Sequence, residues 1–321
     1  MTQTYPYTYA RMSVMKSRLF TKETYHKLLK MDVNSIANFL GETEYKPAID
    51  ALGAQWSGIT LLEKALGLHL AQIIEKIQKI SPGTLHAMLE VYSKRWDYEN
   101  IKTLLRGRTT QTPTEEIKHL LTLAGTWNTE KRTFLLKQET PEAVLDATGH
   151  GDLKKYLTTK DTPACENALD EQYYEEVLSF AKKEGFLTFY SIMRHEIDMI
   201  NLLSLLHKKI QGTTSSFFIT GGHFSLRTLQ QLSQDSLPSI LDALQKKGWL
   251  DQHINTLRDI EIALIHAYLQ KTKRLIHTKP LKADIIFGYL FAKEIEIKNV
   301  QMIMKGKSLH IKEDILEVAL A

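Results

Sequence analysis

An eighteen-residue stretch recurs three times in this chain. Residues 91–108 read VYSKRWDYENIKTLLRGR, residues 192–209 IMRHEIDMINLLSLLHKK and residues 290–307 LFAKEIEIKNVQMIMKGK. The copies align without a gap. Asp97, Asp198 and Glu296 coincide, then Asn100, Asn201 and Asn299, then Ile101, Leu202 and Val300, then Leu104, Leu205 and Ile303. Each copy ends on a cation: Arg108, Lys209, Lys307. The asparagines lie 101 and then 98 residues apart. A fixed period of about 100 residues means one unit built three times, and no fold that lacks such a unit is admissible.

Acid, amide, aliphatic and cation fall at offsets of 0, +3, +7 and +11. At 100° per residue these positions share about 80° of a helix surface. A carboxylate and an amide inside a branched aliphatic stripe must be hydrogen-bonded if they are buried. In a single copy, a solvated edge is the simpler reading, since charged residues are mostly exposed. Three copies in register favour a structural polar lock, with each pair capping or bridging helices within its own unit. No nucleophile or metal-ligand set accompanies the motif. On this reading, Asn100→Leu lowers the melting temperature; unchanged stability with lost assembly marks a contact surface instead.

The sequence has 321 residues, 43% of them hydrophobic and 24% charged, as in ordinary globular proteins. The repeat predicts domains over 1–110, 111–212 and 213–321, divided at the polar segments TTQTP (109–113) and QGTTSS (211–216). Net charge is +4 without a run of five Lys or Arg, which gives no phosphate-binding stripe for nucleic acid. Cys165 is the only cysteine, so no internal disulfide or thiolate zinc cluster forms, and a reducing cytoplasm fits. The N-terminus lacks the apolar core of a signal peptide. The longest apolar run, Ile285 to Ala292, is too short to span a bilayer.

Periodicity predicts an all-α chain. A first helix covers 8–20, with Met12 and Met15 as core filler. A helical pair over 24–40 breaks near Asp32, and LKQETPEAVLDA (136–147) and LSQDSLPSILDA (232–243) resemble that segment. A long amphipathic helix covers 60–80, with His69 on its apolar face as a core residue. Ser81-Pro82, Thr112-Pro113, Thr140-Pro141 and Thr162-Pro163 read as helix starts with a capping hydroxyl. Glu115 completes a capping box with Thr112. Further helices are expected over 165–184, 225–248, 251–274 and 280–304. A turn at 305–309 and a short helix at 312–320 follow.

Catalytic motifs are missing. KGKS at 305–308 resembles the end of a phosphate-binding loop, but the required upstream glycine is Gln301. His195 and Glu196 near Asp198 lack a second histidine at +4, which is Met199, and read as a solvated helix edge. Gly149, Gly151, Gly221 and Gly222 read as loop turns. No catalytic, cofactor-binding or metal-binding residue is assigned.

The repeated helix carries a family resemblance. Tyr9-Ala10-Arg11, YSKRWDYENIKTLLRGR at 92–108 and YLFAKEIEIKNVQMIMKGK at 289–307 resemble the C subunit of archaeal and bacterial A/V-type ATPases. That protein is similar to the d subunit of the eukaryotic vacuolar enzyme. The middle copy departs: Lys208 stands where the others have Gly107 and Gly306. The resemblance implies a funnel of three similar helical domains around a pseudo-threefold axis. It implies a non-catalytic rotor protein, without cofactor, that holds the D and F subunits of the central stalk on the membrane proteolipid ring and transmits torque. It also implies a peripheral position on the cytoplasmic face of the membrane. The rival reading is a soluble helical adaptor for peptide or nucleic acid, which predicts repeats of 30–45 residues and a basic or aromatic groove.

Overall fold

The computed structural model describes residues 4–211, 217–250, 257–275 and 281–320. Among them every regular element is helical. In chain order these are α1 (Pro6–Lys16), α2 (Lys22–Leu29), α3 (Val33–Gly41), α4 (Lys46–Leu52), α5 (Gly58–Lys79) and α6 (Gly83–Thr109). Next come α7 (Thr114–Leu120), α8 (Thr129–Leu136), α9 (Pro141–Thr148), a 3-10 turn (Gly151–Leu153), α10 (Lys154–Thr158), α11 (Thr162–Lys183) and α12 (Leu187–Gln211). The last are α13 (Leu226–Gln234), α14 (Leu237–Lys246), α15 (Leu257–Leu275), α16 (Ala283–Ser308) and α17 (Glu313–Ala319). The chain is all-α. No helix of the described residues is long and apolar enough to cross a membrane.

Local capping shows the repeat beyond the eighteen-residue signature. Thr21, Asn128 and Ser225 open α2, α8 and α13, each side chain accepting the backbone N–H three residues on. Asp32, Thr140 and Ser236 do the same for α3, α9 and α14. Each cap satisfies an N–H that the helix itself cannot pair. The break expected near Asp32 is therefore a cap, and its counterparts recur at the same place in each third. One correction follows from Ser236 and Pro238: the helix expected over 225–248 is two helices, because this cap and proline restart the chain.

Of the expected Ser/Thr-Pro caps, Thr140 caps α9, whereas Thr162 and Thr112 do not cap α11 and α7. Asp161, not Thr162, accepts from Ala164 at the start of α11. Ser81 donates its hydroxyl back to Ile77. Thr112 bonds Thr110, and no side chain caps α7. Proline fixes the first helical φ but does not choose the cap, which falls to the residue whose side chain reaches the orphan N–H. The turn expected at 305–309 is also displaced, since α16 runs on to Ser308 and the chain reverses at His310 (φ 55°).

The described chain forms two compact units, Met1–His86 with Lys271–Ala321, and Ala87–Gln270. The first draws on both ends of the chain. There α16 packs against α5, α1, α2 and α3, and α17 packs against α2. Leu62, Leu66, Ile73 and Ile77 of α5 are buried, as are Met12 and Met15 of α1, which fill core as expected. In the second unit, Ile101 and Leu104 of α6 share a core with Ile117, Leu135, Val144 and Cys165. Leu202 and Leu205 of α12 likewise share one with Leu229, Ile240, Leu244 and Leu264. Burial pushes the Cys165 thiol up to about 11, so it is an inert core thiol.

The glycine difference between the copies has a packing cause. A Cβ on Gly107 would overlap the side chain of Ile117 on α7, ten residues on. A Cβ on Gly306 would overlap Leu316 on α17, at the same offset. In both copies the glycine lets a short helix fold back onto the signature helix. In the middle copy Lys208 takes this position, and the next locked backbone, Ile219, comes 18 residues after Asn201, against 22 for Thr122 after Asn100. Gly107→Val is expected to lose about 1–3 kcal/mol of stability through overpacking, read as a lower urea midpoint.

Candidate functional site

The three polar pairs are buried: Asp97 is 5% exposed, Asn100 1%, Asp198 0%, Asn201 1%, Glu296 1% and Asn299 3%. Each sits one turn from its partner on α6, α12 or α16. In the first copy, Asn100 accepts from the N–H of Thr122 (2.8 Å) and donates to its carbonyl (3.1 Å). Asp97 accepts from the Thr126 N–H (3.0 Å), the Thr126 hydroxyl and the Trp127 N–H. In the second copy, Asn201 makes the same two bonds to Ile219, both 2.8 Å. Asp198 accepts from the N–H groups of His223 and Phe224 and from His223 Nδ1. The amide thus replaces a missing backbone neighbour, and the carboxylate collects the orphan donors just before the next helix.

Burial raises the Asp97 carboxyl above its ordinary value, against the bonds from Thr126 and Trp127 that favour its charged form. In two copies a loop glycine makes room for the short aspartate. A Cβ on Gly125 would overlap Asp97 Oδ1, and one on Gly222 would overlap Asp198 Oδ1. In the third copy the matching loop residue is Arg18, and the acid is the longer Glu296. Glu296 accepts from the Phe20 N–H and the Tyr45 hydroxyl, both at 2.6 Å. Asn299 faces the Tyr25 hydroxyl. Phe20, Trp127 and Phe224 are thus equivalent, each preceding the capping residue of the next helix.

The partners of the first two copies lie downstream of their signature helices, over Thr122–Trp127 and Ile219–Phe224. The third pair reaches back 276 residues in sequence, to Phe20. Each signature helix therefore holds the segment just before a capped helix: α8 for α6, α13 for α12 and α2 for α16. α17 lies on α2 as α7 lies on α8.

The third copy adds an ionic cluster. Lys293, wholly buried one turn before Glu296, binds Glu296 at 2.7 Å and also Glu44. His69 lies 3.6 Å from Glu44 and packs on the Tyr45 ring. Burial would raise the Glu44 carboxyl, but the neighbouring His69 ring and the Lys293 ammonium outweigh it and bring it to about 2. The terminal cations divide. Arg108 donates to the Leu136 carbonyl and the Thr114 hydroxyl, and Lys307 pairs with Glu313. Lys209 is half-buried and has no ion pair with a described residue.

His195, Glu196 and Asp198 do not form a solvated edge. Asp198 and Glu196 are buried, and Glu196 pairs with Arg95 of α6. Lys94 reaches Glu176, Lys102 reaches Asp170 and Arg106 grips Glu166 through two bonds, all from α6 to α11. KGKS lies within α16, and Gly149 is the left-handed residue ending α9.

Carboxylates used up on backbone amides, and ammonium groups used up on carboxylates, define a helical repeat scaffold whose shared polar residues hold the chain together. Comparison with known proteins then places it. Residues 8–318 match the ATP synthase (C/AC39) subunit family. The C subunit of the A-type ATP synthase of Methanosarcina mazei is 30% identical, over 98% of this chain and 91% of that protein. Its namesake in Methanococcoides burtonii is 29% identical, over 97% and 92%. The chain belongs to the ATP synthase (C/AC39) subunit family.

Proposed function

We propose that this chain is a non-catalytic rotor subunit of an A/V-type ATPase, seating the central stalk, with its D and F subunits, on the membrane proteolipid ring. It transmits torque between ion translocation and ATP turnover without catalysing either. It sits peripherally, on the cytoplasmic face of the membrane. Its three domains, near 1–110, 111–212 and 213–321, form a funnel around a pseudo-threefold axis. The observation that carries this reading is the family match along 8–318, with relatives named as the C subunit of A-type ATP synthases covered almost end to end. The locks support it physically. A torque coupler must resist shear between its parts, and each signature helix here is bonded to a backbone segment remote from it in sequence.

The test is a pull-down with the tagged chain from detergent-solubilised membranes of a host whose A-type synthase lacks its own C subunit. The expected result is recovery of the proteolipid ring and the ATPase head, with no ATP turnover by the chain alone. Recovery of nucleic acid or unrelated peptides without the ring supports the adaptor reading, and turnover by the isolated chain overturns the non-catalytic one.

A further inference from the structure

We propose that His195, Asp198 and His223 form a binding site for a borderline divalent cation of the Zn2+ type. Each side chain offers one donor atom, and the three donors lie within 4.8 Å of one another. His195 stands one turn before Asp198 on α12, and His223 enters from the loop that Asp198 locks. The two imidazoles stack at 4.1 Å between centroids and 27° between planes, which brings both to the same carboxylate.

The spacing suits a metal. Tetrahedral zinc with bonds of about 2.0–2.1 Å places neighbouring donors about 3.3 Å apart. Asp198 Oδ2 and His223 Nδ1 are 2.9 Å apart, so they need only a slight opening. His195 then closes by side-chain rotation. The backbone N–H groups of His223 and Phe224 already orient the carboxylate, as outer-shell donors do in metal sites. Two nitrogens and one oxygen favour Zn2+, Co2+ or Ni2+ over Mg2+ or Ca2+, and three protein donors leave a position for water. His223 is 36% exposed, which gives the ion an entry path. Coordination through Nδ1 needs the tautomer with its proton on Nε2, so the metal replaces the Nδ1–H bond to Asp198. The neighbouring cation, Arg194, is turned to the carbonyls of Gly221 and Gly222.

The lock itself does not explain these histidines. At the place of His223 the first copy has Thr126, whose hydroxyl makes the same bond to the carboxylate. At the place of His195 the other copies have Lys94 and Lys293. Among the described residues, it is the middle copy that assembles imidazole nitrogens around its acid.

The experiment titrates ZnCl2 into the chelator-treated full-length chain by calorimetry, with Co2+ absorption and melting temperature as second readouts. One ion per chain is expected, with a tetrahedral Co2+ spectrum and a rise in melting temperature on binding. His195→Ala and His223→Thr are each expected to weaken binding about tenfold or more, as loss of a ligand does. His223→Thr should keep the metal-free melting temperature, because threonine restores the bond seen at Thr126. No stoichiometric binding by the unsubstituted chain overturns the site. So does binding unchanged in both variants, which means an adventitious ion only, held elsewhere.

Discussion

Replacing Lys293 by methionine is expected to cost about 3–5 kcal/mol, the range for removing one partner of a buried ion pair. The ammonium lies between Glu44 and Glu296 with no exposed surface. Methionine fills the volume but leaves two carboxylates in a site closed by Tyr45, Phe20 and His69. Hydrogen exchange reads the effect, with amides of α16 and α5 expected to exchange faster than those of α12. Adding Glu44→Gln to the variant removes one of the stranded charges and is expected to recover part of the loss, a coupling that two independent sites would not show. The pH dependence has a defined sign. Glu44 titrates at about 2 in the folded protein, against an ordinary 4.5. Its contribution is fully present above pH 4.5 and is lost as the pH falls toward 2. Without Lys293 much of that depression disappears, so the variant is expected to lose less additional stability across that window than the parent chain. A variant as stable as the parent at pH 7 would show that the ammonium does not hold these helices together.

How much of this was legible in the sequence follows from how local each interaction is. The stripe of acid, amide and aliphatic was visible because a helix repeats every 3.6 residues and the copies are in register. The cap at Asp32 was visible for the same local reason. The lock partners were not. They lie 18–30 residues downstream in irregular segments, and for Glu296 at the opposite end of the chain, where no periodicity points. His223 was missed as a neighbour of His195 for that reason: a rule requiring the second histidine at +4 finds only ligands on one helix. Glu44, the other carboxylate on Lys293, lies between two short helices and carries no pattern of its own. The expected capping box at Thr112 failed from the opposite cause. Its spacing was right, but Thr112 bonds Thr110, and spacing alone does not decide between competing partners.

Asn201→Leu tests whether the amide is a lock or a contact surface. Leucine has nearly the same shape, so the packing between Leu202, Leu205 and their neighbours is preserved. What it removes is the pair of bonds to Ile219, whose N–H and carbonyl are then buried with no water to replace them. Each such orphan costs about 1–3 kcal/mol, so the expected loss is about 2–5 kcal/mol, seen as a lower melting temperature. Asn100→Leu is expected to lose less, because the bonds to Thr122 are only partly buried and water can reach part of what the amide leaves. The ordering separates the two roles. The amides of Asn100 and Asn201 are almost equally inaccessible, so no partner protein can touch either one. If Asn201→Leu abolishes recovery of the ATPase while the chain melts at its usual temperature, the amide acts on a partner and the lock is wrong. If assembly fails only in proportion to stability, the carboxylate and the amide serve the fold, and the contact surfaces must be sought among exposed residues instead.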